Sequence, residues 1–368
     1  MQTVIDVNSR QAVKRWAASL ARDTAQQEYF DKFTGEGENN IIERKVELES
    51  DAGDEIRFDL SMRLRGDITE GDNVVEGREE GLSFYQDSVR IDQARKGVDA
   101  GGRMTRKRTL HSLRTIAKER TAEYLAEWID EIKMVYLSGT APGTYINEDS
   151  KVTRPFAGNP IQAPDPAHHV FAGDAVSKAT LDADDKMTRA LVELLATMPR
   201  MMNSIDPETV KMTPVNVGGK KKFVLLMNPW QTHAIRTEKG ELSWGDIQKE
   251  AAVKGASNPL FTDAVGELAG VVLHEHENVR RFNDYGVGAN VHAARALFMG
   301  RQAGVVAYGS AGNGTRMSWV EKLHDAESRV AIYAGTIFGF KKTRFNNRDF
   351  GVIAVDTAAR NPGIPAGV

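Results

Sequence analysis

Between Arg103 and Leu137 the chain runs without a proline or a glycine, and Leu110, Leu113, Ala117, Thr121, Tyr124, Trp128, Ile132 and Val135 step along it by threes and fours. That period marks an apolar stripe on a helix. One helix over this segment would have about 35 residues and reach roughly 50 Å, about three times the average helix. An element of that length acts as a spine, and the other elements must attach along it. Its first turns carry Arg103, Arg106, Lys107, Arg108, Arg114, Lys118 and Arg120. Positive charge at a helix N-terminus works against the macrodipole, which leaves two readings: a solvated basic face, or a surface for an acidic partner.

Upstream the period changes. Ile56, Phe58, Leu60, Met62 and Leu64 alternate with Glu55, Arg57, Asp59, Ser61 and Arg63, as in a strand with one face covered. A second strand is expected from Leu82 through Phe84 to Val89 and Ile91, where the alternation slips once and suggests a bulge. Together they predict a long hairpin. Its connection, GDITEGDNVVEGREEG, holds Asp67, Glu70, Asp72, Glu76, Glu79 and Glu80 against Arg78 alone, so an acidic, hydrophilic tip is expected.

The remaining segments place the class as α+β. Arg10 to Phe33 reads as an amphipathic N-terminal arm, ended by Gly35 and Gly37. Gly139 to Thr180, rich in proline and glycine and without a period, reads as a long loop or insertion. Leu181 to Met202 reads as a helix with Asp182, Asp184 and Asp185 at its favourable end and Met187, Leu191, Leu194, Leu195 and Met198 on a stripe. KKFVLLMNP is a buried strand, Gln231 to Arg236 and Trp244 to Val253 are short helices, and GVVLHEHENV, RVAIYAGTIFGF and FGVIAVDT are strands.

Chemistry is sparse. With no cysteine among 368 residues, disulfides, thiolate metal sites and thiol nucleophiles are excluded. A net charge of −3 from 48 basic and 51 acidic residues gives no overall nucleic-acid signature. No apolar run reaches the ~18 residues of a membrane span, and the start lacks a signal-peptide core, so a cytoplasmic location and no membrane partner are expected. His274 and His276 share a strand face in VLHEHENV and could in principle meet one metal, yet none of the other six histidines sits in a ligand frame. Strand, not site, is the expectation. Asp349-Phe350-Gly351 spells a kinase triplet without the other kinase motifs, and GGKKK lacks the phosphate-loop frame and reads as a hairpin turn. No cofactor and no catalytic residue are expected.

An arm, a projecting hairpin and a spine each present surface that needs a neighbour, so the architecture implies assembly. Here the sequence resembles the major capsid proteins of tailed bacteriophages. The resemblance rests on six runs in collinear order: RLRGDITEGDNVVEGREEGLSFYQDSVRID, AEWIDEIKMVYLSG, FVLLMNPWQTHAIR, ASNPLFTDAVGELAGVVLHEHENV, ALFMGRQAGVVAYG and GFKKTRFNNRDFGVIAVDT. The arm and the Gly139 to Thr180 loop fall outside it.

The resemblance implies the fold shared by tailed-phage and herpesvirus shells: residues 1–52 as the N-terminal arm, 53–100 as the extended hairpin called the E-loop, and 101–138 as the spine helix of the peripheral domain. It leaves 139–184 as a loop or insertion and 185–265 as mainly the axial domain. Residues 266–368 then form peripheral strands, with returns to the axial domain and a C-terminal tail. It implies a virion protein, in the host cytoplasm during assembly, that closes as hexamers and pentamers into an icosahedral shell around double-stranded DNA, bound without sequence specificity. Implied partners are copies of itself, a portal, a separate scaffolding protein and, as an optional addition, a decoration protein. Because the arm reaches the hairpin in about 50 residues, Met1 is expected to begin the mature chain, with no cleaved scaffolding region of domain size. Inter-subunit contacts are expected at Ile56, Phe58 and Leu60, and from Glu70, Asp72, Glu76, Glu79 and Glu80 to the turn bearing Arg103, Arg106, Lys107 and Arg108. Some members weld a hairpin lysine to a neighbour's asparagine, but this chain has no lysine between Gly53 and Arg95. The alternative within the fold is an encapsulin-like nanocompartment shell; outside it stands a metal-dependent hydrolase using His274 and His276.

Overall fold

The computed structural model describes residues 10–47, 53–61, 64, 66–82, 84–147, 150–205, 211–238, 260, 264–310, 316–326 and 328–363. The expected helix over 244–253 and strand positions Met62 and Arg63 lie outside them. Two larger sheets and one long helix organise these residues, in line with the expected α+β class. The eight-stranded sheet runs in the order His169–Phe171, Val352–Ala358, Val291–Met299, Lys220–Met227, Val271–Glu275 and Ala264–Leu268, with Arg281–Tyr285 and Val215–Val217 paired to its middle strands. It is mixed: Val271–Glu275 lies parallel to Lys220–Met227, and Val291–Met299 antiparallel to Val352–Ala358. Every residue of Val352–Ala358 is buried, as expected of a strand covered on both faces.

The long helix covers one of those faces. Leu113–Ser138, called the spine helix below, packs Ile132, Val135 and Tyr136 into the same core as Val224, Leu226, Leu297 and Val352 of this sheet and Ile332, Phe338 and Phe340 of the other. All ten residues from Ile129 to Ser138 are buried, so the last ten residues of the helix are enclosed on all sides. The helix ends at Gly139, whose φ of 61° is left-handed; a Cβ there would sit 2.3 Å from the Gln162 carbonyl oxygen. Arg189–Ile205 and Pro229–Thr237 cover the opposite face of the sheet through Leu191, Val192, Leu195 and Ile235.

The six-stranded sheet runs Thr34–Gly35, Ile42–Lys45, Gly304–Tyr308, Arg329–Lys342 and Met317–His324, with Asp92–Gly102 also paired to Arg329–Lys342. The arm helix Arg10–Gln27 lies against both this sheet and the spine: Trp16 stacks on Trp319 at 5.7 Å, and Lys118 pairs with Asp23 at 2.6 Å.

Several expectations need correcting. The spine is two helices. Arg103–Arg108 ends at Thr109, whose hydroxyl accepts from the His111 amide at 3.2 Å, and a new helix begins after Ser112, whose hydroxyl meets that of Thr115 at 3.0 Å. Hydroxyl side chains compete with the helical hydrogen-bond pattern, and Leu110, counted on the stripe, is fully exposed and has no core to hold it. The longer helix therefore spans about 39 Å. The helix expected from Leu181 starts at Arg189; Asp182, Asp184 and Asp185 precede it, with Asp185 buried and accepting from the Asp182 amide at 2.8 Å. The Gly139 to Thr180 segment is not a free loop, since His169–Phe171 joins the large sheet and Val152 enters the core. No bulge interrupts the described pairing of the hairpin, where Glu55–Ser61 and Phe84–Arg90 run in one unbroken register.

Candidate assembly surfaces

The hairpin is rooted in its own chain. Ile56 and Val89 face each other across the pair and pack on Val305 and Ala307 of the six-stranded sheet, leaving Ile56 only 8% exposed. Phe58 is half-buried and meets the Phe345 ring edge-on at 6.1 Å. Leu60 pairs with Tyr85 along the backbone; its side chain is outside the description. Asn159 bonds both the amide and the carbonyl of Arg90, at 2.9 and 2.8 Å, and Asp87 accepts from the Arg344 amide at 3.0 Å. The apolar face singled out for contacts between subunits is thus engaged within the chain at Ile56, and partly so at Phe58.

Beyond the root the hairpin carries no further regular structure in its described residues, and Glu70, Asp72, Glu76, Glu79 and Glu80 are all exposed. Glu79 accepts from the Gly77 amide at 2.8 Å, and Glu80 from the Gly66 amide at 2.6 Å, which ties the two limbs together. Among the described residues, Glu70, Asp72 and Glu76 make no ion pair. The tip is not only hydrophilic, as the sequence suggested: Ile68 is 89% exposed, and Val74 and Val75 of the same connection are exposed as well. The pair Val74-Val75, set in a loop without alternation, was the available signal.

The basic turn also moves. Arg106, Lys107 and Arg108 occupy the last turn of the short helix Arg103–Arg108, where the macrodipole favours cations instead of opposing them. Arg106 donates to the Ser328 carbonyl at 3.1 Å. Arg103, Lys107 and Arg108 are exposed and have no ion pair among the described residues. The later cations are satisfied at home: Arg114 pairs with Glu321 at 2.6 Å, and Arg120 with Glu123 at 2.5 Å. No ion pair joins the acidic tip to the basic turn among the described residues.

The two histidines are built into packing. His274 lies in the strand Val271–Glu275, fully buried, with Nε2 at 2.8 Å from the Leu260 carbonyl and its ring 5.0 Å from Phe33. His276 lies just past the strand end, its ring 4.4 Å from Tyr29, and its Nδ1 accepts from the Asn278 amide at 3.1 Å. Burial, with Lys32 and Arg280 nearby, pushes the His276 imidazole down to about 4. Among the described residues, no three metal-ligand side chains converge anywhere. Sequence reasoning missed a buried polar cluster in which Asp356 accepts from Arg295 Nε and Nη2 and from the Tyr285 hydroxyl, each at 2.7 Å.

Comparison with known proteins gives a consistent result. The family model for phage capsid protein matches residues 4–361. The major capsid protein of Pseudomonas phage KPP25 is 25% identical over 363 residues, 94% of each chain. The capsid of Ralstonia phage GP4 superposes with a TM-score of 0.86 at 46% identity, covering 99% of this chain and 100% of that one. The capsid of cyanophage Pam1 shares the fold at a TM-score of 0.69 and 23% identity, over 91% and 93% of the two chains.

Proposed function

The chain belongs to the phage capsid protein family, and from that premise we propose that its copies, as a tailed phage's major capsid protein, close as hexamers and pentamers into an icosahedral shell around packaged double-stranded DNA. The hairpin is its principal link between subunits. Assembly takes place in the host cytoplasm with a separate scaffolding protein and a portal, and DNA is held without sequence specificity. No catalytic step and no cofactor enter this reading.

The observation that carries the hairpin's role is the exposed tip, which combines carboxylates at Glu70, Asp72 and Glu76, without an ion pair among the described residues, with the exposed side chains of Ile68, Val74 and Val75. Apolar surface of this kind on a projecting loop is stabilised when a neighbour covers it. The exposed Arg103, Lys107 and Arg108 supply a matching basic surface on an adjacent copy. An exposed ion pair contributes only about 0–1 kcal/mol, but a shell repeats the contact at every subunit, so a small term biases closure.

The test is charge reversal. Glu76→Lys, Glu79→Lys and Glu80→Lys together should impair shell formation, seen by electron microscopy and sedimentation, while circular dichroism shows a folded subunit. Adding Arg103→Glu, Lys107→Glu and Arg108→Glu should restore assembly in part, most clearly at low salt. Normal assembly of the first triple variant at both low and high salt would show that the tip charges are merely solvated.

A further inference from the structure

We propose that the N-terminal arm is clamped to the rest of the subunit at Tyr29 by an opposed pair, Asp130 on its backbone and His276 on its ring, which together hold arm docking nearly constant across the neutral pH range. Asp130 projects from the spine helix and accepts from the Tyr29 amide at 2.6 Å and the Phe30 amide at 3.1 Å, so it caps the 3-10 turn Tyr29–Phe33 that follows the arm helix. His276 meets the other side of the same residue, its ring 4.4 Å from the Tyr29 ring at 61°. Arm, spine and the turn after Val271–Glu275 thus converge on one residue.

The two grips respond to protons in opposite ways, and the geometry says why. Asp130 shares its buried site with Glu28 of the arm, and Lys133, which pairs with Glu28, also attracts the Asp130 carboxylate. Tyr308 of the six-stranded sheet and Arg44 of the neighbouring strand face the same cluster. Glu131, the next residue of the spine helix, is engaged elsewhere, accepting from the Lys151 amide at 2.7 Å and pairing with Arg280 at 3.4 Å. Burial first, then Glu28, pushes the Asp130 carboxyl up to about 7, against the pull of Lys133. For His276, Nδ1 already accepts from the Asn278 amide, so a second ring proton would displace that donor. It would also place a cation in a buried site beside Lys32 and Arg280, which is why the imidazole is pushed down to about 4.

Undocking the arm rehydrates both groups and returns them towards ordinary values of 3.8 and 6.5. A raised carboxyl favours docking in acid, and that contribution is lost as pH rises through about 7. A depressed imidazole favours docking above about 6.5, and that contribution is lost as pH falls towards about 4. Between about pH 5 and 8 the slopes have opposite sign and similar size, so they largely cancel.

The measurement is amide exchange at Tyr29 and Phe30 in the full-length protein, expressed as protection relative to the intrinsic rate at each pH. Near-ultraviolet dichroism of the Trp16–Trp319 stack serves as a second reporter of arm docking. Wild-type protection should stay within about fivefold from about pH 8 to 5. Asp130→Asn should lose protection on the order of 30-fold over the same fall in pH, and His276→Asn should gain on the order of 100-fold. The double variant should be flat again. Should Asp130→Asn not hold the arm at all, Glu28→Gln gives the milder case: removing the neighbouring charge lowers the carboxyl and makes the profile fall in acid. A wild-type profile that varies by more than about tenfold, single variants with flat or same-sign slopes, or a flat Glu28→Gln profile would overturn the proposal.

Discussion

Asp356 is wholly buried yet charged, and it is stable there because Arg295 meets it through two nitrogens while Tyr285 and His169 each donate from 2.7 Å. Burial alone would raise its carboxyl; Arg295 outweighs burial and holds it well below the usual range. The contribution to stability is therefore present above the ordinary carboxylate range and fades as pH falls below it. Arg295→Met leaves that charge uncompensated and should cost about 3–5 kcal/mol in urea unfolding of the subunit. Replacing both residues, as Arg295→Met with Asp356→Leu, should cost clearly less. Equal losses would mean that packing, not charge, holds the site. None of this was legible in the sequence, because Arg295 and Asp356 stand 61 positions apart in the chain and meet only through the antiparallel pairing of Val291–Met299 with Val352–Ala358. The histidines show the converse. The alternation in VLHEHENV was readable and gave the strand, but it could not show that the strand stops at Glu275 or that Tyr29 of the arm lies against His276.

Among elements, strands with strong patterns were legible, including FVLLM, RVAIYAGTIFGF and the two limbs of the hairpin. Boundaries set by local hydroxyl chemistry were not, and the break between Arg108 and Leu113 is the clearest case. The seating of the hairpin root depends on a feature no pattern reveals, namely that the backbone at Arg90 and Ile91 passes directly over Gly339. A Cβ at position 339 would stand 1.8 Å from the Arg90 carbonyl oxygen, so the strand and the hairpin can approach this closely only at a glycine. Gly339→Ala should therefore displace the root, at a cost of about 1–3 kcal/mol or more, and limited proteolysis should cut the 66–82 segment faster than in wild type. Unchanged cleavage would mean that the root has room the geometry does not show.

For the whole molecule, the decisive question is what joins one subunit to the next. The hairpin holds arginines but no lysine between Gly53 and Arg95, so an amide bond from a hairpin lysine to a neighbour's asparagine is chemically impossible. Two lysines of the strand beneath its root are already committed: Lys341 pairs with Asp87 and donates to the Ser88 carbonyl at 3.1 Å, and Lys342 is buried against Asp349 at 2.8 Å. In the proposed shell the subunits are instead joined by many weak contacts, the acidic tip on a basic turn and the apolar tip side chains against a neighbour, each reversible alone and persistent only through number. Boiling purified shells in SDS with no reductant should yield single chains on a denaturing gel, with no ladder, since the chain also lacks cysteine. A ladder of covalent oligomers would require a bond that starts from some residue other than a hairpin lysine, and would move the principal link between subunits away from the tip.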